Sequence, residues 1–174
     1  VLITVTTPTL DIVVDLAKGL KDKIKGLKII VGGPHLAVDA DNTMKIESFD
    51  VGVIGEAEYA TLELVQRMLK NQSFDNVKGI IYKKGDKIIR TEPRKLIENL
   101  DELPMPAYHL LPSMKLYHPQ IHAYKYLPVA AMVTSRGCPY SCIFCDQNIF
   151  GRRFRYISGR KVVDQIEILK NKSQ

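Results

Sequence analysis

Leu27-Lys-Ile-Ile-Val31, followed by Gly32-Gly-Pro-His35, decides how the first half of this chain folds. The run is almost wholly apolar and rich in β-branched residues, and a glycine pair and a proline close it. Such a stretch reads as a short strand buried on both faces. Working outward, Val1-Leu-Ile-Thr-Val-Thr6 is a similar run, broken by Thr7-Pro8-Thr9. Phe49-Asp-Val-Gly-Val-Ile54 is a third, ending at Gly55-Glu-Ala-Glu58.

Between these runs the apolar spacing turns helical. Leu10, Val13, Val14, Ala17, Leu20 and Ile24 predict a helix capped by Thr9. Asp11 suits its positive end, and Lys21, Lys23 and Lys25 suit its negative end. A second helix is expected within residues 36–47. Tyr59, Leu62, Val65, Met68 and Leu69 predict a third, with Glu63 and Arg67 one turn apart. Three strands alternating with three helices predict an α/β fold, a partial Rossmann-like (flavodoxin-like) parallel sheet covered on both faces. Ligands of such sheets bind outside the carboxyl ends of the strands. The turns at Thr7, Gly32-Gly33 and Gly55-Glu56 sit at those ends. Taken singly, a glycine there is a turn residue; their order along the chain makes them candidates.

Beyond residue 75 the pattern changes. Gly79-Ile-Ile-Tyr82 and Lys87-Ile-Ile-Arg-Thr91, around Lys83-Lys-Gly-Asp86, predict a β-hairpin. Pro104, Pro106, Pro112, Pro119 and Pro128 mark an ordered connector. Residues 129–134 read as a fresh strand. Ser158 is expected to cap a last helix with Val162, Val163, Ile166 and Leu169 on one face. The expected organisation is an α/β domain over 1–75, a hairpin and linker over 76–128, and the start of another domain over 129–174.

The 174 residues are 45% apolar and 25% charged, a soluble globular balance. No apolar run approaches the ~20 residues of a membrane span, and the start lacks a signal-peptide pattern, so a cytoplasmic location is expected. The net charge of +6 is spread along helices, which argues against a nucleic-acid partner. The denser Arg152, Arg153, Arg155, Arg160 and Lys161 read as an exposed face beside a cofactor mouth, or as a seat for a phosphate or anionic substrate. The chain opens on Val1 inside a strand and stops after a helix. It is therefore expected to be part of a longer protein and inactive alone.

The three cysteines, Cys138, Cys142 and Cys145, lie within eight residues. An odd, clustered set is a poor disulfide framework and a good metal site. Four-iron clusters usually take four cysteine ligands. Three thiolates would leave one iron open to the amino and carboxylate groups of S-adenosylmethionine (SAM). The competing reading is a zinc site completed by His118 or His122, in a non-catalytic module whose sheet binds a nucleotide-like ligand.

The loop Ser135-Arg-Gly-Cys138-Pro-Tyr-Ser-Cys142-Ile-Phe-Cys145 resembles the C-x-x-x-C-x-Φ-C motif of the radical SAM superfamily. Phe144 fills the aromatic place, which the resemblance puts near the adenine of SAM. Residues 129–174 look like the first strand, loop and helix of that family's partial (β/α) barrel. Residues 1–75 resemble the later half of the cobalamin-binding domain fused to many such enzymes, and Leu100-Asp-Glu-Leu-Pro-Met-Pro-Ala107 looks like the linker between the two.

By position, the resemblance implies that Thr4 and Thr7 approach the cobalamin nucleotide tail. It likewise implies that Gly32, Gly33 and Pro34 pack against that tail, and that Gly55 and Glu56 form the next strand end. The segment in which some cobalamin proteins carry an Asp-x-His-x-x-Gly cobalt ligand does not occur in this chain, and His35 reads as a loop residue. A 4Fe-4S cluster on the three cysteines would cleave SAM to a 5′-deoxyadenosyl radical, and cobalamin would deliver a methyl group to an unactivated carbon. Cyclisation or ring rearrangement is the alternative outcome. The implied partners are a small-molecule substrate and a one-electron donor such as flavodoxin or ferredoxin.

Overall fold

The computed structural model describes residues 1–120, 122 and 124–173. The chain divides into two units, Val1–Leu96 with Tyr140–Gly151, and Ile97–Pro139 with the stretch from Arg152 onward.

The first unit holds β1 (Leu2–Thr4), α1 (Leu10–Lys23), β2 (Ile30–Gly32), α2 (Pro34–Thr43), β3 (Val51–Val53), α3 (Glu58–Leu69), β4 (Ile80–Lys84) and β5 (Lys87–Arg90). These strands form one sheet in the order β1-β2-β3-β4-β5. The first three pair in parallel, with Leu2 opposite Ile30 and Ile30 opposite Val51. The hairpin β4–β5 adds antiparallel to β3, with Val51 opposite Tyr82. The hairpin expected from the sequence is thus formed, and it continues the sheet of the first three strands.

Strand side chains alternate between faces, and this alternation assigns the helices. Val5, Ile29, Val31 and Ile81 share one buried cluster with Val13 and Ala17 of α1 and Leu36 and Ala40 of α2. Ile30, Val51, Val53, Ile80 and Tyr82 share another with Ala60 and Leu64 of α3. Two helices thus cover one face, and α3 covers part of the other. Leu2 and Thr4, whose side chains follow the α3 side, are exposed. The uncovered end of that face is where the groove described below lies.

The apolar face expected for α3 is shifted. Ala60 and Leu64 are buried, whereas Tyr59, Leu62 and Leu69 are exposed. Helix α3 crosses strands packed with large valine and isoleucine side chains, and the small Ala60 permits close approach. Thr9 does not cap α1 forward: its hydroxyl turns back to Thr6, accepting from the Thr6 N–H at 3.1 Å and donating to the Thr6 carbonyl at 3.1 Å.

In the second unit, single-turn helices at Leu100–Glu102, Tyr108–Leu110 and Met114–Leu116 precede β6 (Ser135–Arg136). β6 pairs antiparallel with β7 (Arg155–Tyr156), and α4 (Gly159–Ser173) follows. The strand expected over 129–134 is not formed; the pairing starts one residue later and spans two residues. A run of apolar residues makes a strand only where a neighbour accepts its ladder, and β7 is two residues long. Ser158 does cap α4, its hydroxyl accepting from the Lys161 N–H at 3.4 Å. The buried face of α4 is Gln165 and Leu169, while Val163 and Ile166 are exposed.

Candidate functional site

The carboxyl ends of β1 and β2 are tied together by backbone. The Val5 N–H donates to the Gly32 carbonyl at 2.7 Å, and the His35 N–H to the Val5 carbonyl at 3.1 Å. Between them Gly33 adopts φ +99°, a left-handed conformation that glycine alone takes easily. A Cβ on Gly33 would stand 2.7 Å from Thr4 Cγ2 and 2.9 Å from the Val5 carbonyl oxygen. Gly33 is therefore required by β1 itself. Pro34 then opens α2, where its fixed φ and missing N–H cost nothing.

Gly32 differs. A Cβ there would meet only Val53, at ordinary distances of 3.7 and 3.9 Å. Its open side faces a groove of about 130 Å³ at the strand ends. Thr4, Ile30, Gly32, Gly33 and Val53 line it from the sheet, and Ala57 and Thr61 from the start of α3. The walls are mainly apolar, with the two threonines supplying hydroxyl groups.

Of the residues singled out from sequence, the groove gathers Thr4, Gly32 and Gly33. Thr7 lies elsewhere, its hydroxyl 3.1 Å from His35 Nδ1. Gly55 sits at φ +85° in the turn after β3 with open space around it, and Glu56 is buried. Sequence reasoning missed Ala57 and Thr61. They stand one turn apart, Thr61 N–H donating to the Ala57 carbonyl at 2.8 Å, on the stripe that continues to the buried Leu64, and that stripe is told from the rest of α3 only by the sheet it meets.

The cysteine loop follows β6. Cys138 belongs to the second unit, and Cys142 and Cys145 to the first. All three are exposed. Cys145 N–H donates to the Cys142 carbonyl at 3.1 Å, forming a tight turn between these two. Phe144, on that turn, is 88% exposed. Among the described residues no three His, Cys, Asp or Glu side chains are gathered closely enough to hold a metal ion. The donor set, three thiols and no fourth cysteine, nevertheless suits an iron–sulfur cluster with one open place.

The basic stretch is only in part the exposed face expected: Arg152, Arg153 and Arg160 are exposed and Lys161 is half-buried. Arg155 is buried and donates to the Ile97 carbonyl at 2.6 Å. Arg153 pairs with Glu98 at 3.1 Å, and Lys161 donates to the Asp101 carbonyl at 2.7 Å. These cations fasten the start of the connector to β7 and α4. No helix among the described residues is long and apolar enough to cross a membrane.

Residues 1–65 match the B12 binding domain. Over 169 residues the chain is 35% identical to an uncharacterized methyltransferase of Pyrococcus horikoshii, covering 96% of this chain and 36% of the relative. It is 29% identical over 133 residues to the cobalamin-dependent radical SAM methyltransferase TokK of Streptomyces tokunonensis, covering 75% of this chain and 19% of TokK. Residues 1–65 thus belong to the B12-binding domain family. The chain's fold is similar to that of the radical SAM methyltransferase TsrM of Kitasatospora setae, solved with cobalamin and a [4Fe-4S] cluster. The TM-score is 0.69 at 15% identity, covering 98% of this chain and 35% of TsrM. The chain thus spans about a third or less of the length of these proteins.

Proposed function

We propose that this chain forms part of a cobalamin-dependent radical SAM enzyme that transfers a methyl group to an unactivated carbon of a small molecule. The observation that carries this reading is the groove at the ends of β1, β2 and β3, inside the matched B12 binding domain. Its volume is about 130 Å³. An apolar cavity of roughly 150 Å³ takes up one aromatic ring, so the groove suits the flat base of a nucleotide tail. Gly32 keeps it open by placing no side chain there, and Thr4 and Thr61 offer hydroxyls at its walls.

Cys138, Cys142 and Cys145 would hold the cluster, and Phe144, exposed beside two of them, would lie against the adenine of SAM. Thr7, Pro34, Gly55 and Glu56 would shape the strand ends around the cobalamin. When bound, the cluster and cobalamin supply reductive SAM cleavage and methyl transfer. Three thiolates would leave one iron without a cysteine ligand, open to the amino and carboxylate groups of SAM. A one-electron donor such as flavodoxin or ferredoxin, and a cytoplasmic setting, suit that chemistry. Residues 1–174 alone are not expected to turn over.

The test is anaerobic reconstitution of the full protein with iron, sulfide and cobalamin. Retained cobalamin, broad visible absorbance and about four irons per chain are expected. Cys142→Ala should lose the iron and keep cobalamin. Stoichiometric zinc without broad visible absorbance would overturn the proposal in favour of a zinc module.

A further inference from the structure

The side-chain amide of Gln147 donates a hydrogen bond to the backbone carbonyl of Tyr140, seven residues earlier. This bond closes the segment that carries both Cys142 and Cys145. A shorter-range bond stiffens the same segment from within, Cys145 N–H to the Cys142 carbonyl at 3.1 Å, and Asn148 N–H, just beyond it, donates to Asp146 Oδ1 at 3.0 Å. Gly151 N–H then reaches back to the Gln147 carbonyl at 2.9 Å, fixing the backbone from which the amide projects. From Cys138 to Gln147 every residue is exposed except Gln147 itself, which is half-buried. An exposed loop has little packing to hold its shape, so a side chain spanning it takes that part.

We propose that Gln147 is a positioning residue for the metal-binding loop, closing Tyr140–Gln147 into a ring that presets Cys142 and Cys145 for a shared metal. The inference rests on the reading of these cysteines as cluster ligands. Binding a metal through two thiolates requires the intervening chain to give up conformational freedom. A segment already closed gives up less, which raises affinity without adding a ligand. One hydrogen bond of ordinary net strength corresponds to about a fivefold to tenfold change in a binding constant.

The experiment uses the full protein, free of iron, and Co²⁺ as the probe, followed by its thiolate charge-transfer absorption under anaerobic conditions. Gln147→Leu keeps the shape of the side chain and removes the donor. It should weaken Co²⁺ binding about fivefold to tenfold, and after reconstitution a ferrous chelator should strip iron faster by a similar factor. The thermal midpoint of the metal-free protein should stay within error of the parent, which separates loop positioning from general stability. Asn148→Ala, whose side chain the loop does not use, should bind as the parent does. Should Gln147→Leu not fold, Gln147→Met serves as the second donor-free variant. Equal Co²⁺ affinity and equal chelator rates in parent and donor-free variant would overturn the role of Gln147 and leave the cluster reading standing. Absence of any thiolate band in the parent would overturn both.

Discussion

The hydroxyl of Thr7 lies 3.1 Å from Nδ1 of His35, joining the turn after β1 to the first turn of α2. His35 is buried, and its own N–H is held by the Val5 carbonyl at 3.1 Å. The end of β1 and the start of α2 are thus linked by a side-chain pair as well as by backbone. Thr7 resembles a cofactor-contacting position by sequence, yet its hydroxyl is engaged within the fold.

That pairing predicts the outcome of Thr7→Val. The substitution keeps the branched shape and removes the hydroxyl, so the ring nitrogen of the buried His35 loses this part-buried partner. A loss of about 1–3 kcal/mol is expected, read as a lower urea midpoint with an unchanged slope. A midpoint equal to the parent's would mean that the pair contributes nothing to stability.

The two adjacent glycines should separate folding from binding. Gly33→Ala forces a Cβ to within 2.7 Å of Thr4 Cγ2 at a backbone φ of +99°, so it should destabilise the domain whatever is bound. At Gly32 a Cβ meets only Val53, at ordinary distance, and valine suits a strand. Gly32→Val should fold with near-parental stability, fill the groove and lose cobalamin while keeping iron after reconstitution. Cobalamin retained by a folded Gly32→Val protein would show that the groove is not the site.

Much of this fold could be read from residues alone. The apolar runs around Ile29–Val31 and Val51–Val53 became parallel neighbours, and Glu63 pairs with Arg67 at 3.2 Å as their spacing suggested. Three features could not be read, each for a physical reason. Helix α3 has apolar residues on more than one side, and only the sheet it meets selects Ala60 and Leu64 over Tyr59 and Leu62. Residues 129–134 are apolar enough for a strand, yet they form none; the Thr134 carbonyl accepts from the Ile157 N–H at 2.8 Å and the ladder runs on only through Ser135 and Arg136. Arg155 carries a charge, which suggests exposure, yet the Ile97 carbonyl holds it inside. At the site, glycines signalled the groove because backbone openings leave a mark in sequence. Thr61 left none until the buried side of α3 was known.

At the opposite end of the sheet, Asp50 gathers Lys21 at 2.8 Å, Lys28 at 3.2 Å and the Ile29 N–H at 2.8 Å. Burial by itself pushes this carboxyl up, but the Ile29 N–H and the two lysines together outweigh burial and hold it below its ordinary value. A depressed folded pKa stabilises the ionised form. The contribution is therefore complete above the unfolded value of about 4 and is lost as pH falls through the folded one. Asp50→Asn should be less stable at neutral pH, and its stability should decline less between pH ~5 and ~3. Urea titrations across that range check this, and parallel declines in parent and variant would refute it.

The last helix offers a test in which sequence pattern and structure disagree. By spacing, Ile166 belongs to the apolar face of α4, and Gln165 beside it would face water. In the fold Gln165 is 3% exposed and Ile166 is 49% exposed. The Gln165 amide donates to the Tyr108 hydroxyl, on the single-turn helix Tyr108–Leu110 that α4 packs against. Replacing Gln165 with leucine fits an apolar side chain where a polar one bridges two elements, and it takes the donor from a buried tyrosine hydroxyl. The expected cost is about 1–3 kcal/mol. Ile166→Ser removes a half-exposed side chain from a helix surface and should stay within about 0.5 kcal/mol of the parent, as surface substitutions usually do. The amphipathic pattern taken alone predicts the reverse ranking, with Ile166→Ser the damaging change. Chemical unfolding of the two variants side by side decides between them. A larger loss in Ile166→Ser than in Gln165→Leu would mean that α4 packs through the stripe its sequence suggests, and that the Gln165–Tyr108 bond does not hold it in place.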